Sequence, residues 1–171
     1  NRTLGSVTDD ELRNWVETGA EGDSLEKDER KMIYSIFQLG DTLCREIMVP
    51  RIDVLALDIN STLEEAIKAI QDSGHSRMPV YEDVIDNIEG LLYAKDLLGE
   101  IGKPEDQFHL REKIRPAYFV PETKPLRTLL HEFQNQKLHI AIVLDEYGGT
   151  AGVVTIEDIL EELVGEIADE F

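Results

Sequence analysis

The 171 residues suffice for one compact domain or two very small ones, and 42% hydrophobic with 31% charged residues is typical of a soluble globular protein. Thirty-six acidic residues against 17 basic ones give a net charge of -19, which argues against nucleic acid as a partner and permits a cation such as Mg²⁺. The single cysteine excludes a disulfide framework, and no apolar stretch reaches the roughly 20 residues of a membrane-spanning helix.

Residues 1–45 are predicted to form a helical connector. Residues 8–11 have the spacing of a capping box before a short amphipathic helix, and a second helix is predicted from about Leu25 to Leu39. Neither helix carries a catalytic pattern. Because the chain begins at Asn1 rather than at methionine and ends within a predicted helix, Ile156 to about Ala168, we expect it to be part of a larger protein.

The remainder of the chain contains one pattern twice, in residues 46–105 and 106–166. The spacing between matching segments drifts only in loops, where small deletions are tolerated. This internal repeat decides the expected fold. The aligned segments are Pro50 with Pro116, the apolar helix face 63–70 with 126–133, the strand 78–81 with 141–144, and the run 90–98 with 152–160.

Each repeat is predicted to have the order β-α-β-β-α. In the first repeat a strand is expected at Val54–Leu57, Ser61–Glu64 cap the helix that follows, and two strands flank the polar turn Glu82–Asn87 before a closing helix. The second repeat has its turn at Glu146–Thr150. A small sheet with one covered face is marginal alone. We therefore expect an α+β fold in which the repeats pack sheet to sheet after the helical connector, with residues 167–171 beginning a link to a further domain.

Five segments in order carry a family resemblance: Glu46–Arg51, Gly74–Tyr81, Tyr93–Leu98, Asp145–Gly152 and the acidic ending Ile156–Ile167. On these segments the chain resembles tandem CBS domains, or a Bateman module, of the CorC/CNNM group of magnesium and cobalt efflux or transport proteins, also called hemolysin-like. The resemblance covers roughly residues 46–164. It implies pseudo-two-fold symmetry between the repeats, a membrane domain upstream, often a small C-terminal domain downstream, a place on the cytoplasmic side of the membrane, and a homodimer.

Thr155 and Asp158 lie where a strand is predicted to turn into a helix. Their spacing is that of a helix N-cap, and capping alone would explain them. In CBS pairs, however, a Thr-x-x-Asp at this place holds a ribose, because a carboxylate can accept hydrogen bonds from both sugar hydroxyls. The resemblance therefore implies nucleotide binding, and the two roles are compatible.

The loop Gly74–Pro79 is the second candidate element. Its glycine permits close approach of a ligand, and an arginine fork suits phosphate; the alternative is a polar loop before an edge strand. In CBS pairs this loop of one repeat meets the phosphates while the other repeat supplies the ribose acid. The resemblance thus implies one pocket for an adenine nucleotide (ATP, ADP or AMP), formed by Asp58 on the adenine side, His75, Ser76, Arg77, Met78, Thr155 and Asp158.

The corresponding second pocket would combine Tyr93, Asp96, Lys137 and His139. It departs from the family pattern, because tyrosine replaces threonine and the loop lacks both the arginine and the proline. A tyrosine there could fill the space that a base needs. We expect one working site per chain and one degenerate site.

A triphosphate in so acidic a protein favours a bound Mg²⁺, which would neutralise part of the ligand's charge. The run Glu157–Glu170 holds seven acids and no base, and it is either a solvated helix face or a cation-responsive dimer contact. If a metal binds there, the candidate ligands are Glu161, Glu162 and Glu166.

The chain contains neither a Gly-rich phosphate loop nor a serine or cysteine with an obvious base partner, and we expect no enzyme activity. The leading hypothesis is a regulatory module that binds a nucleotide and controls a membrane transporter of Mg²⁺ or Co²⁺. Two alternatives stay open: a ligand-free dimerisation module of a membrane protein, and the regulatory domain of a soluble enzyme.

Overall fold

The computed structural model describes Leu39 and residues 41–169, with side chains described as far as Gly165. The two predicted connector helices therefore lie outside the described residues, apart from Leu39 at the end of the second. The described chain divides into two compact units. We call residues Val49–Glu122 and Ile140–Val153 the sheet unit, and the described parts of Asn1–Met48, Thr123–His139 and Val154–Phe171 the helical unit.

Seven strands and four α-helices follow one another among the described residues. The first repeat and its lead comprise α1 (Cys44–Ile47), β1 (Val49–Pro50), β2 (Leu57–Asp58), α2 (Leu63–Ser73), β3 (Arg77–Tyr81) and β4 (Ile88–Tyr93). The second comprises β5 (Phe119–Pro121), α3 (Leu126–Gln136), β6 (Ile140–Leu144), β7 (Thr150–Thr155) and α4 (Ile156–Asp169). Short 3₁₀ helices occupy Arg51–Asp53, Ala94–Glu100, Glu105–Gln107 and Leu110–Glu112.

The sheet unit contains a three-stranded sheet in the order β2-β3-β4 and a four-stranded sheet in the order β1-β7-β6-β5. In each, the strand that precedes the helix runs parallel to the strand that follows it, β2 with β3 and β5 with β6. The repeats also exchange their leading segments. Val49 of the first repeat pairs with Val153 of the second, and Arg115 of the second forms an antiparallel bridge with Leu91 of the first.

Two apolar clusters hold the sheet unit together. One lies between the three-stranded sheet and α2, and it includes Met78, Leu92 and Ala66. The other joins residues from both sheets: Ile88, Leu91, Ile140, Ile142 and Val153. Each fully buried aliphatic side chain contributes about 1.5–3 kcal/mol through the hydrophobic effect. The α+β fold with sheet-to-sheet packing, predicted from the instability of a lone small sheet, is confirmed.

The helix after the first strand begins and ends where its sequence directs. Thr62 and Glu65 form a capping box, with Thr62 Oγ1 accepting from the backbone N–H of Glu65 (3.1 Å) and Glu65 Oε1 accepting from the backbone N–H of Thr62 (3.0 Å). Gly74 ends the helix in the left-handed region (φ 72°). In the second repeat Lys137 takes the same position after α3 with φ 56°, a conformation that is less favourable for a residue with a Cβ.

The helical unit is built on the apolar face of α3. Leu126, Leu129, Leu130 and Phe133 are buried, as their spacing predicts, and α3 packs against α4. The segment before α1 is fixed to this helix by backbone hydrogen bonds, from Leu126 N–H to Thr42 O and from Cys44 N–H to Lys124 O (2.8 Å each).

Two predicted elements of the first repeat differ in the structure. The strand predicted at Val54–Leu57 is wrong in its bounds, because β1 pairs in the other sheet and residues 51–56 must connect the two sheets before β2 begins at Leu57. The closing helix Ala94–Glu100 is a 3₁₀ helix rather than an α-helix. Tyr93, at its N-cap, makes no side-chain cap hydrogen bond, so the first turn lacks the stabilisation that Thr155 gives α4.

Candidate functional site

Thr155 and Asp158 form a reciprocal pair at the junction of β7 and α4. The backbone N–H of Thr155 donates to Oδ2 of Asp158 (3.0 Å), and the backbone N–H of Asp158 donates to Oγ1 of Thr155 (3.1 Å). Both residues are half-buried. The two residues therefore cap the helix, as the capping interpretation predicted. Their two hydrogen bonds hold the Thr155 hydroxyl and the Asp158 carboxylate in fixed positions at the start of a 14-residue helix. These two bonds use Oδ2 and leave Oδ1 outside them.

A backbone hydrogen bond marks equivalent points in the two repeats. Ala94 N–H donates to Ser76 O (2.8 Å), and Ile156 N–H donates to His139 O (2.9 Å). Thus Ser76 lies beside the peptide bond between Tyr93 and Ala94, and His139 lies beside the peptide bond between Thr155 and Ile156. The structure brings His139, predicted for the degenerate site, next to Thr155 of the helical unit.

The loop predicted to meet phosphate turns at Gly74 and leads into β3. His75 and Ser76 are exposed, and the backbone N–H of His75 donates to Ser73 Oγ (3.1 Å). Arg77 is the first residue of β3, where it pairs with Tyr93 of β4, and its guanidinium carbon lies 5.4 Å from the centroid of the Tyr93 ring. Met78 is buried in the apolar core, with 3% of its surface exposed. A ligand could therefore contact its backbone but not its side chain.

Asp58 lies at the other end of the same sheet. It pairs with Tyr81, the last residue of β3, whereas Arg77 is the first; the four residue steps from Arg77 to Tyr81 span about 13 Å. The Asp58 carboxylate accepts a hydrogen bond from the backbone N–H of Asn60 (2.8 Å), an Asx turn before α2. The structure thus separates Asp58 from Arg77 along the strand, and its place on the adenine side stays a prediction.

Tyr93 and Asp96 of the predicted degenerate site are engaged by an arginine that the sequence analysis missed. Arg115 donates from Nε to Oδ2 of Asp96 (2.8 Å) and from Nη2 to Oδ1 (2.9 Å), and its guanidinium carbon lies 4.3 Å from the centroid of the Tyr93 ring. The hydrogen bond from Arg115 lowers the pKa of Asp96, against the opposing effect of desolvation. A signal was available: Arg115 aligns with Val49, so a charged residue stands where the first repeat has an apolar one.

Lys137 and His139, the other two residues predicted for that site, belong to the helical unit, as do Thr155 and Asp158. Lys137 is exposed at the end of α3, and His139 is half-buried. Their joint pocket with Asp96, like the joint pocket of Arg77 with Asp158, stays a prediction.

The acidic helix α4 was the predicted place for a cation. Glu161 is exposed and Glu162 half-buried, while the Glu166 side chain lies outside the described residues. Within the part of the chain that the structure describes, His, Cys, Asp and Glu side chains form no group of three or more that could hold a metal ion. Magnesium at Glu161, Glu162 and Glu166 stays a prediction.

Comparison with known proteins identifies the repeats. The CBS domain family model matches residues 44–103 and 112–165. This chain belongs to the CBS domain family. The CBS pair is 43% identical, over 162 residues, to the magnesium and cobalt efflux protein CorC of Escherichia coli strain K12, which covers 95% of this chain and 56% of that relative. The chain thus spans about half the length of this relative.

Two solved structures agree with this assignment. The CBS domain of the bacterial CNNM/CorC family Mg²⁺ transporter matches with a TM-score of 0.80 and 40% identity, over 93% of this chain and 97% of that one. The same domain in complex with ATP matches with a TM-score of 0.76 and 43% identity, over 80% and 97% of the two chains. The resemblance to the CorC/CNNM group, predicted from five motifs, is confirmed.

The family model that matches is that of the CBS domain and the relative is an efflux protein, so the matched family is not an enzyme family. Among the described residues no helix combines the length and the apolar character that crossing a bilayer requires.

Proposed function

We propose that this CBS pair binds an adenine nucleotide, ATP with Mg²⁺, and thereby regulates a magnesium or cobalt transporter of which it is part. The observation that carries the proposal is the reciprocal Thr155–Asp158 pair, in a chain 43% identical to a CBS domain solved with ATP. The pair offers a hydroxyl and a carboxylate in fixed positions, which is what recognition of two sugar hydroxyls requires.

In this proposal Asp158 accepts from the ribose hydroxyls through Oδ1, while Oδ2 keeps its bond to the N–H of Thr155. Capping and binding then reinforce each other, because the helix fixes the carboxylate before the ligand arrives. The exposed loop residues His75 and Ser76, together with Arg77, meet the phosphates, for which the planar guanidinium is well suited. Since the chain carries a net charge of -19, Mg²⁺ on the phosphates lowers the repulsion that a triphosphate meets.

The proposed regulation is of a transporter on the cytoplasmic side of the membrane, and the parent protein would contain the membrane domain. The support is the chain's similarity to an efflux protein of which it covers 56%, and to the CBS domain of a Mg²⁺ transporter. Reading the full-length gene tests this part. Three or four apolar helices upstream of the CBS pair are expected, and a soluble catalytic domain in that place would refute it.

We also propose that the CBS pair forms a homodimer. Apolar residues stand exposed on both units, with Leu160 47% and Val164 61% exposed on α4 of the helical unit, and Leu98 69% exposed in the sheet unit. Isolated exposed apolar residues are ordinary, but two on one face of an acidic helix favour burial against a second copy. Sedimentation at several concentrations should show a dimer that weakens in Leu160→Glu.

Isothermal titration calorimetry with ATP, with and without Mg²⁺, tests the nucleotide site. We expect binding that is lost in Asp158→Ala and weakened at least tenfold in Arg77→Ala. The control is Asp106→Asn, which changes an exposed carboxylate and should bind as the unmodified chain does. Full-strength binding in both Asp158→Ala and Arg77→Ala would refute the assignment of the site.

Thermal unfolding separates a nucleotide sensor from a ligand-free dimerisation module. ATP at about 100 times its dissociation constant adds roughly 2.7 kcal/mol to the free energy of unfolding. For a chain of this size that raises the melting temperature by about 5–10 °C. A melting temperature that does not change with ATP would favour the dimerisation module instead.

A further inference from the structure

The arrangement around Asp96 differs from the one around Asp158 in a way that the repeat itself does not explain. Both carboxylates stand at the start of a helix, three residues after the last residue of an equivalent strand. Asp158 bonds back to its own N-cap residue, whereas Asp96 is bound through both oxygens by Arg115, nineteen positions further along the chain.

The backbone holds Arg115 firmly. Leu91 N–H donates to Arg115 O and Arg115 N–H donates to Leu91 O, each at 2.8 Å, which makes an antiparallel bridge on the edge of β4. The neighbouring Gly90 allows this approach, since a Cβ there would lie 2.6 Å from the Arg115 carbonyl oxygen. The side chain therefore starts from a fixed point, and its planar guanidinium forms both hydrogen bonds to Asp96 with less loss of conformational freedom per bond than a lysine would have.

The guanidinium of Arg115 occupies two positions that a bound nucleoside would need, one beside Asp96 and one over the ring of Tyr93. It donates to Oδ1 and to Oδ2 of Asp96, so neither oxygen stays outside the pair as Oδ1 of Asp158 stays outside its cap. It also lies over the ring of Tyr93, which stands at the position of Thr155 in the other repeat. The sequence predicted a degenerate site from Tyr93 and from a loop without the arginine and the proline; the contacts add Arg115, which engages both Tyr93 and Asp96.

We propose that Arg115 acts as a built-in occupant of the second nucleoside site, and that this site opens to an adenine nucleotide when the Arg115–Asp96 contact is broken. The inference deepens the proposed function and rests on it for the choice of ligand. The contact is only moderately strong, because the two side chains keep 43% and 25% of their surface exposed. A bidentate pair of this exposure with a cation–π contact corresponds to about a tenfold to hundredfold reduction in the affinity of the covered site.

The test uses the whole chain and ATP as the probe, in a background where the first site is closed by Asp158→Asn. Calorimetry should find that Asp158→Asn with Arg115→Gln binds about one ATP per chain, at least tenfold more tightly than Asp158→Asn alone. Adding Asp96→Asn should abolish that gain. Arg115→Lys, which keeps the charge but loses the fork, should give a smaller gain, and circular dichroism should confirm that every variant is folded.

Two results would overturn the inference. The first is a folded Asp158→Asn with Arg115→Gln variant that binds ATP no better than Asp158→Asn alone. The second is a gain that survives Asp96→Asn, which would place the new binding elsewhere. A different result would refute the proposed function: the unmodified chain, with Asp158 and Arg115 intact, would not bind ATP. The comparison of variants at Arg115 and Asp96 remains decisive in that case.

Discussion

Replacing Gly90 by alanine tests the way in which the leading segment of the second repeat is attached to the first. A Cβ at Gly90 would lie 2.6 Å from the backbone oxygen of Arg115 and 3.0 Å from the side chain of Ile114. Relief to an ordinary contact of about 3.4 Å requires a shift of roughly 0.8 Å. The Leu91–Arg115 hydrogen bonds, now 2.8 Å long, would then exceed the normal limit of about 3.2 Å.

The magnitude follows from three contributions. Two weakened backbone hydrogen bonds cost about 1 kcal/mol each, and overpacking at a buried backbone position costs about 1–3 kcal/mol. Alanine returns about 0.5–1 kcal/mol, because glycine loses more conformational freedom on folding. The steric effect prevails, and we expect Gly90→Ala to lower the free energy of unfolding by about 2–4 kcal/mol.

Urea denaturation followed by circular dichroism measures this change, with Gly99→Ala as the matched control. Gly99 lies in a short helix with no atom within 4 Å of its would-be Cβ, so the same substitution there should be neutral or stabilising by up to about 1 kcal/mol. Equal unfolding midpoints for Gly90→Ala and Gly99→Ala would refute the reasoning, since only the Cβ at Gly90 meets close neighbours, Arg115 and Ile114.

Two further predictions concern titrating groups. Hydrogen bonds from basic side chains lower the pKa values of Asp86, Asp96 and Glu100. These groups therefore bind more protons in the unfolded chain than in the folded one. The stability that they contribute is present above about pH 4 and is lost as the pH falls through their folded pKa values. Acid also reduces the net charge of -19, so the test compares variants: Asp96→Asn should lose less stability than the unmodified chain between about pH 5 and 3 in urea titrations, and an equal loss would contradict the pairing. Burial raises the pKa of Cys44 to about 11, so a thiol reagent at pH 8 should label it only as fast as the chain unfolds; immediate labelling of the folded chain would contradict its burial.

Elements with local signals could be predicted from the sequence. Helix α2 follows directly from the Thr62 capping box and from Gly74, and the strands β3 and β6 follow from short apolar runs. The repeat then supplied the pairing of elements, because two copies of a small sheet need each other's apolar faces. The Thr155–Asp158 pair was also foreseeable, since both of its hydrogen bonds span only three residues.

Features that depend on long-range pairing could not be predicted. The exchange of β1 into the second sheet joins residues about a hundred positions apart, and it moves the start of β2 to Leu57. Nothing in the composition of residues 54–56 distinguishes a connection between sheets from a strand. Likewise the parallel register that pairs Asp58 with Tyr81, and so sets its separation from Arg77, could not be read from the sequence, and the place of Asp58 on the adenine side stays a prediction.

The two repeats show how one backbone pattern supports opposite states at a carboxylate. At Thr155 a short hydroxyl accepts the N–H of the helix's first turn, so Asp158 can bond back to its own N-cap, and an α-helix of 14 residues follows. At Tyr93 no such acceptor exists, the closing helix is a seven-residue 3₁₀ segment, and Asp96 takes its partner from Arg115 instead. A carboxylate that is fixed locally keeps an oxygen outside its cap for a ligand, whereas one that is held by a distant arginine has both oxygens engaged. The asymmetry between the sites therefore begins with the residue at the N-cap and is completed by Arg115.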